Sequence, residues 1–183
     1  MANDRIASSR TAPKLTPVSD RPPLRSFAMS LPMSLLRARE AVMRHFRGNL
    51  RSFGLTEQQW RVLRALSSKD SIEVAELVEL TFLLGPSLSR ILKELESRKV
   101  IARTTPDSDQ RRGIISLTAK GRQLIDEVGV YSEAVYAQIA ERFGSKNLAS
   151  LQATLKDLEE ALSKPIDVTV GGRQASRRSR RNG

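Results

Sequence analysis

The sequence predicts a mainly α-helical fold that carries one short β-hairpin, and three observations predict it. Apolar residues make up 39% of the 183 residues but aromatic residues only 4%, so the core must consist mostly of Leu, Ile, Val and Ala. Apolar side chains recur at helical spacing through most of residues 34–163. Near residues 100–117 they instead alternate on both sides of a polar, turn-forming segment, which is typical of a hairpin.

Two amphipathic helices open the patterned region. Apolar spacing predicts a first helix over residues 34–53, which Gly54 ends. Thr56 precedes a second apolar series, and Gln59 stands three positions later, so the two residues predict a capping box at the start of a second helix. The apolar side chains of this second helix are Trp60, Val62, Leu63 and Leu66.

The next elements predict a helix-turn-helix unit. Ile72 predicts one residue pair of a small sheet, and the apolar residues of 74–81 predict a short third helix. Gly85 as cap and Pro86 as first helical residue then mark a tight turn into a fourth helix. The apolar face of this fourth helix is formed by Leu88, Ile91, Leu92 and Leu95. A short helix, a turn and an amphipathic helix in this order are typical of the motif.

A basic hairpin follows the fourth helix. Residues 100–105 and 114–117 predict its two strands, and residues 106–113 between them are charged and turn-forming. A hairpin in this position is the wing of a winged helix-turn-helix. We therefore assign residues 56–118 to that fold.

Two long helices complete the pattern, and we assign them to dimerisation. Thr118 caps a fifth helix that Gly144 ends, and Ser145 opens a sixth. The leucines of the sixth helix form a coiled-coil seam: Leu148, Leu151, Leu155, Leu158 and Leu162. Because residues 34–53 and 119–163 lie outside the compact winged unit, we expect their apolar faces to pair with a second copy. Packing of the seam within its own subunit remains the alternative.

Positive charge is concentrated at the two ends of the chain. The net charge is +11, which indicates a polyanionic partner such as nucleic acid. Residues 1–30 hold five basic and two acidic side chains and residues 164–183 hold six and one, which leaves only +3 for residues 31–163. We expect a disordered basic arm at 1–30 and a disordered Arg-rich tail at 164–183. Simple solvation is the alternative role for both ends.

Composition excludes several classes of function. The chain has no cysteine and a single histidine, His45, so thiol chemistry is excluded and neither a metal nor another cofactor is expected. Its longest apolar runs, such as Leu80–Leu84, are far too short to span a bilayer, and no signal peptide opens the chain, so we expect a cytoplasmic protein without a membrane partner.

An enzyme is the first rival class, and the sequence argues against it. It contains no nucleophile–base pair, no glycine-rich phosphate loop and no carboxylate–histidine cluster. Asp107 and Asp109 are explained by the hairpin turn that holds them. A second rival is a ligand-independent basic protein that binds RNA or packages DNA, which would explain the charged ends but not the wing.

One motif resembles a known family. Residues 109–121, DQRRGIISLTAKG, resemble the wing signature D-x-R followed by S-L-T-x-x-G of the multiple-antibiotic-resistance regulator (MarR) family. With the element order, this resemblance covers roughly residues 34–163. Residues 36–41, 55–61 and 85–88 are further similar to the subgroup that regulates operons for homoprotocatechuate (4-hydroxyphenylacetate) degradation.

The chain departs from the family pattern at two positions. Leu84 stands where many members have a Ser or Thr cap, and Lys99 stands where many have Gly before the first wing strand. The second change is expected either to place Lys99 in a strained conformation or to alter the angle of the wing.

Eight residues are predicted to contact duplex DNA. At 100° per residue, the fourth helix turns its polar side away from the core, and its N-terminal part would enter the major groove. Its predicted contacts are Pro86, Ser87, Ser89, Arg90 and Lys93, with Arg90 bonding guanine and Lys93 a phosphate. The resemblance further implies that Arg111 enters the minor groove, that Asp109 supports it and that Arg112 reaches the backbone. Solvated side chains are the alternative for Arg90 and Lys93.

The resemblance also implies a dimer that responds to an effector. Two copies would place their fourth helices one DNA turn apart on a near-palindromic operator. A small aromatic carboxylate would bind between the dimerisation helices and the DNA-binding lobe, most simply through an arginine fork. Arg39 is the first choice for this partner, followed by Arg37 and His45, and Trp60 would line the cavity. Core packing is the alternative for Trp60, and an interface contact is the alternative for His45. Repression is the expected outcome.

Overall fold

A computed structural model describes residues 24–105 and 113–168. The chain divides into two compact units, residues 1–43 and 44–183. The first unit contains a short 3-10 helix (Phe27–Met29) and the beginning of α1 (Leu31–Ser52). Helix α1 begins three residues before the predicted bound, because Pro32 in its first turn has no helical amide bond to lose.

The second unit contains the end of α1 and all later elements. These are α2 (Glu57–Leu66), β1 (Ile72–Glu73), α3 (Val74–Thr81), α4 (Gly85–Ser97), β2 (Ile101–Thr104), β3 (Ile114–Leu117), α5 (Ala119–Phe143) and α6 (Ser145–Ala161). Their order and type are those that the sequence predicts, and only the ends of the elements differ by a few residues. The mainly helical winged helix-turn-helix is therefore confirmed.

The capping box that starts α2 is formed as predicted. The Thr56 hydroxyl accepts from the Gln59 amide at 3.1 Å, and the Gln59 side chain accepts from the Thr56 amide at 2.9 Å. Gln59 is itself buried, so the box also gives its side-chain oxygen and its backbone N–H a partner inside the protein. The box fixes where α2 enters the core.

The three short strands form one antiparallel sheet in the order β1-β3-β2. Ile72 pairs with Ile115 and Ile101 pairs with Leu117, and all four side chains are buried. The buried side chains of all three strands thus form one apolar face, and this face joins the wing to the helical core.

Helix α5 packs closely on the residue that precedes the wing. Its N-cap Thr118 accepts from the Gly121 amide at 3.0 Å, and the Thr118 amide donates to the Val100 carbonyl at 3.1 Å. A Cβ added at Gly121 would overlap that Val100 carbonyl oxygen. The glycine of the S-L-T-x-x-G motif is therefore required for this approach of helix and backbone.

Lys99 adopts the strained conformation, one of the two outcomes expected for its substitution. Its φ is +58°, in the left-handed region that glycine adopts freely. The Lys99 amide still donates to the Glu96 carbonyl at 2.8 Å and its carbonyl accepts from the Thr118 hydroxyl at 2.8 Å. These bonds hold the residue where α4 ends and the wing begins.

Helix α6 presents its leucine seam to the outside of the single chain. Within the part of the chain that the structure describes, α6 buries none of its residues. Leu151, Leu155 and Leu162 are 43%, 40% and 49% exposed, and Leu148 and Leu158 are half-buried. Packing among the described residues therefore leaves most of the seam exposed.

Candidate nucleic-acid interface

Helix α4 separates an apolar inner face from a polar outer face. The inner face consists of the four predicted and fully buried side chains Leu88, Ile91, Leu92 and Leu95. The outer residues predicted to contact DNA are exposed at Pro86, Ser89, Arg90 and Lys93 and half-buried at Ser87. The outer face therefore offers one guanidinium, one ammonium and two hydroxyls, groups that bind base edges and phosphates.

The predicted cap of α4 is wrong by one residue. Leu84 is the N-cap, with φ −66° and ψ 140°, and Gly85 is the first residue of the helix. The reason is that a cap position requires an extended backbone, which leucine adopts without strain, so glycine is not needed there. Pro86 still lies in the first turn, where its missing amide hydrogen has no helical partner to lose.

Two arginines hold the helix-turn-helix in place. The Arg61 guanidinium donates to the Thr81 carbonyl at 2.9 Å, at the end of α3. The Arg98 guanidinium donates to the Gly54 carbonyl at 2.8 Å, which ties the end of α4 to the turn before α2. The first bond therefore ties the end of α3 to α2, and the second ties the end of α4 to the segment that precedes α2.

The described part of the wing ends beside a further arginine. Arg103 on β2 is exposed, and its guanidinium lies next to the backbone of Gly113, toward the loop end of the hairpin. Asp109, Arg111 and Arg112, the three predicted wing contacts, lie outside the described residues. Arg103 was not among the predicted contacts, although a basic residue on a wing strand is a signal that could have selected it.

An open groove lies between the end of α1 and helix α5. Its volume is about 380 Å³, and its lining is mostly apolar. The lining residues are His45, Asn49, Tyr131, Ala134, Val135, Gln138, Ile139 and Arg142. Of the predicted effector contacts the groove includes His45, whereas Asn49, Tyr131 and Arg142 were not predicted because helical spacing alone does not show which faces leave a gap.

The other three predicted effector contacts lie elsewhere. Arg37 and Arg39 belong to the first unit, where Arg37 donates to the Ala28 carbonyl at 2.7 Å and Arg39 pairs with Glu40 at 2.8 Å. Trp60 is half-buried on α2, with the Arg64 guanidinium 5.9 Å from its ring centroid. Trp60 is not among the residues that line the groove.

Residues 24–105 and 113–168 offer neither a metal cluster nor a membrane span. No group of three or more His, Cys, Asp or Glu side chains in these ranges could hold a metal ion. None of the helices in the same ranges combines the length and the apolar character that crossing a membrane requires.

The comparisons with known proteins identify the family. A family model described as the MarR family matches residues 53–112. The homoprotocatechuate degradative operon repressor of Escherichia coli is 37% identical over 128 residues, which cover 70% of this chain and 86% of the repressor. The chain belongs to the MarR family. Its relatives are transcriptional regulators, so this MarR protein is a regulator and not an enzyme.

Solved MarR-like structures agree with this assignment. NadR in complex with 4-hydroxyphenylacetate is 35% identical, has a TM-score of 0.65 and matches over 79% of this chain and 99% of that chain. The transcriptional repressor CouR, bound to a 23-mer DNA duplex, is 26% identical with a TM-score of 0.66 over 75% and 99% of the two chains. The resemblance to the MarR family and its homoprotocatechuate subgroup is confirmed.

The MarR assignment gives a physical meaning to the conspicuous wing motif. Thr118 and Gly121 build the junction between wing and α5, whereas Leu117 is buried under it. The described half of the motif is thus structural.

Proposed function

We propose that this MarR-family regulator represses transcription in the bacterial cytoplasm as a homodimer that binds a near-palindromic operator. It leaves the operator when a small aromatic carboxylate binds. The observation that carries the proposal is the division of α4 into a buried leucine face and an exposed Ser, Arg and Lys face, in a chain whose family includes a duplex-bound repressor.

The outer face of α4 reads the major groove. Arg90 is exposed at the centre of this face and bonds guanine through its two-pronged fork, a contact worth about 1–3 kcal/mol of discrimination. Ser87 and Ser89 bind phosphate or a base edge, Pro86 lies against the bases, and Lys93 contacts a phosphate. The Arg98 bond supports this role because it ties the end of α4 to the turn before α2.

The wing binds the neighbouring minor groove. Arg111 enters it, since a guanidinium suits the enhanced negative potential of a narrow groove, and Asp109 holds Arg111 by an ion pair. Arg112 and Arg103 contact the phosphate backbone. The exposed position of Arg103 toward the loop end of the hairpin supports its inclusion.

Residues 34–53 and 119–163 join two copies, and residues 31–163 form the MarR-like domain. The leucine seam of α6 supports this, because three of its five leucines, Leu151, Leu155 and Leu162, stay exposed within the described part of the chain. The two recognition helices then face half-sites about 10 bp apart. The arm at 1–30 and the tail at 164–183 add phosphate contacts that are independent of sequence.

A small aromatic carboxylate is the effector, and the regulated operon serves aromatic degradation. The name of the Escherichia coli relative and the 4-hydroxyphenylacetate held by NadR support this choice of chemistry. Arg39 binds the carboxylate, Arg37 and His45 assist, and Trp60 lines the cavity. The groove lined by His45 supports the part of this assignment that concerns His45, and its Arg142 adds a cation there.

Release requires that the effector bind one state of the dimer better than the other. A ligand with equal affinity for both states shifts nothing. The effector therefore favours a spacing of the two α4 helices that no longer matches successive grooves.

Competition binding tests the DNA-binding proposal. The full chain should be used to select duplexes from a random pool. A selected duplex should stay bound to the protein when random DNA is added in excess, whereas a general polyanion binder would release it. Arg90→Ala should weaken binding by about 1–3 kcal/mol and relax specificity at one base pair per half-site. Arg51→Ala, which removes an exposed arginine at the end of α1, is the matched control. Equal weakening by both variants would contradict the assignment of α4.

A further inference from the structure

The turn between α3 and α4 exposes two large apolar side chains. Phe82 is 81% exposed and Leu84 is 77% exposed, whereas Leu83 between them is buried. Exposed apolar residues are common singly, but here two stand within three positions of each other, directly before the recognition helix. We call Phe82 and Leu84 the turn pair.

Phe82 holds an unfavourable backbone conformation. Its φ is +52°, in the left-handed region that suits glycine and asparagine and disfavours bulky residues. A phenylalanine that is both exposed and in this conformation contributes little to the core and costs stability. Such a residue is expected where its side chain contacts another molecule.

The two residues that follow are also poor choices for stability. Leu84 occupies the N-cap of α4 but has no polar atom to accept an amide hydrogen, which Ser, Thr, Asp or Asn would provide. Gly85 is the first residue of α4 and has no positive φ, and a Cβ added there would meet no atom of the described residues within 4 Å. Alanine would fit and favour the helix, so glycine serves instead to leave the start of α4 bare.

DNA is the partner that this arrangement fits. The N-terminal end of a recognition helix lies closest to the base edges, and Leu84 directly precedes it. An apolar side chain cannot hydrogen-bond a base, and the one apolar group in the major groove is the C5 methyl group of thymine. Resting on the DNA-binding function above, we propose that Leu84 reads a thymine methyl group in each half-site, with Phe82 packed beside it against the duplex.

Replacement of thymine by deoxyuridine tests the proposal directly. The exchange removes the methyl group and leaves every hydrogen-bonding group in place. Affinities are measured by fluorescence anisotropy on a duplex selected by the full chain, with each thymine replaced in turn. For one thymine per half-site, the wild-type affinity should fall about fourfold, the effect of burying one methyl group.

Leu84→Ser supplies the discriminating variant. Because the dimer loses the contact in both half-sites, it should bind the thymine duplex about sixteenfold more weakly and become indifferent to the deoxyuridine exchange. Because serine is a favourable N-cap, its melting temperature should equal or exceed that of the wild type, which excludes unfolding as the cause. Leu80→Ser, at another exposed leucine on α3, is the control and should keep the response to deoxyuridine.

Phe82→Gly tests the second member of the turn pair. Glycine relieves the positive φ, so the melting temperature should rise while the affinity for the duplex falls. A rise in melting temperature with unchanged affinity would contradict the role of Phe82.

Two outcomes would overturn the inference alone. They are a wild type that ignores every thymine exchange, and a Leu84→Ser variant that responds as the wild type does. If the turn pair instead bound a protein partner, Leu84→Ser would not change the affinity for either the thymine or the deoxyuridine duplex, and this second result would be observed. If no duplex could be selected at all, the proposed function would fail, and this inference with it.

Discussion

Gly121 shows how a single residue fixes the junction of wing and helix. Its missing side chain lets α5 approach the Val100 carbonyl. Thr118 fixes the same segment, because its amide donates to the Val100 carbonyl and its hydroxyl donates to the Lys99 carbonyl. Gly121→Ala should lower the free energy of unfolding by about 3 kcal/mol, because backbone must move to admit the methyl group. Chemical denaturation monitored by circular dichroism measures this.

The matched control for Gly121 lies in the same helix. A Cβ added at Gly129 would meet no described atom within 4 Å. Gly129→Ala should therefore stabilise the protein by about 0.5–1 kcal/mol, as expected for alanine in place of glycine within a helix. Equal destabilisation of the two variants would show that close packing at Gly121 is not the cause.

Arg39 is the residue on which the proposed effector response depends most. Its guanidinium forms an ion pair with Glu40 on the surface of α1, so it retains a partner without ligand. Arg39→Ala should leave operator affinity unchanged and abolish release by 4-hydroxyphenylacetate, because the carboxylate is deprived of its two-pronged donor. Titration of the acid into a fluorescent protein–duplex complex measures release. Arg51→Ala on the same helix is the control, and normal release from Arg39→Ala would place the carboxylate elsewhere.

At the scale of elements, α4 and α6 differ in how much of their apolar faces the described part of the chain covers. Helix α4 buries four leucine and isoleucine side chains, whereas the described part of the chain covers none of the α6 residues fully. Within the described residues, α6 thus leaves exposed an apolar face of the kind that α4 buries.

The seam of α6 gives a prediction about assembly. Leu151→Glu with Leu155→Glu should separate the subunits, because two charges would be buried at the paired face. Sedimentation should then find single chains that retain their helical circular dichroism. Gln152→Glu, a neutral-to-acidic change on the same helix, should leave the dimer intact. A dimer that survives the double leucine substitution would contradict the assignment of the seam.

The elements were predictable from sequence wherever a local rule decides the structure. The Thr56–Gln59 box, the Thr118 cap and the leucine face of α4 follow from hydrogen-bonding chemistry and helical spacing within a few residues. The start of α4 was missed by one residue, because glycine and proline mark a turn without fixing which residue is the cap.

The candidate site was less accessible to sequence reasoning than the fold. The groove beside His45 depends on which faces of α1 and α5 meet, and Asn49, Tyr131 and Arg142 carry no local signal of that meeting. The strain at Phe82 likewise arises from the path of the chain between two packed helices, since phenylalanine itself does not favour a positive φ.

At the scale of the whole molecule, charge is distributed so that affinity and specificity have separate sources. The net charge of +11 resides mostly in the two terminal segments, while the polar face of α4 holds few cations in fixed positions. Phosphate contacts give affinity that depends on salt, and contacts with base edges give sequence preference.

Removal of the C-terminal tail tests this separation. Deleting residues 166–183 removes five arginines, so the slope of log K against log salt should become shallower by about 0.9 for each phosphate that the tail no longer neutralises. The ratio of specific to random duplex affinity should change little. A large fall in that ratio, measured by anisotropy across a salt series, would show that the tail reads bases.

The central claim is that two copies of the chain, joined through their long helices, bind one operator together. Analytical ultracentrifugation of the full chain at micromolar concentration, with and without a selected duplex, tests it most directly. The expected species are a dimer alone and two chains on each duplex. Single chains in both samples would contradict the claim.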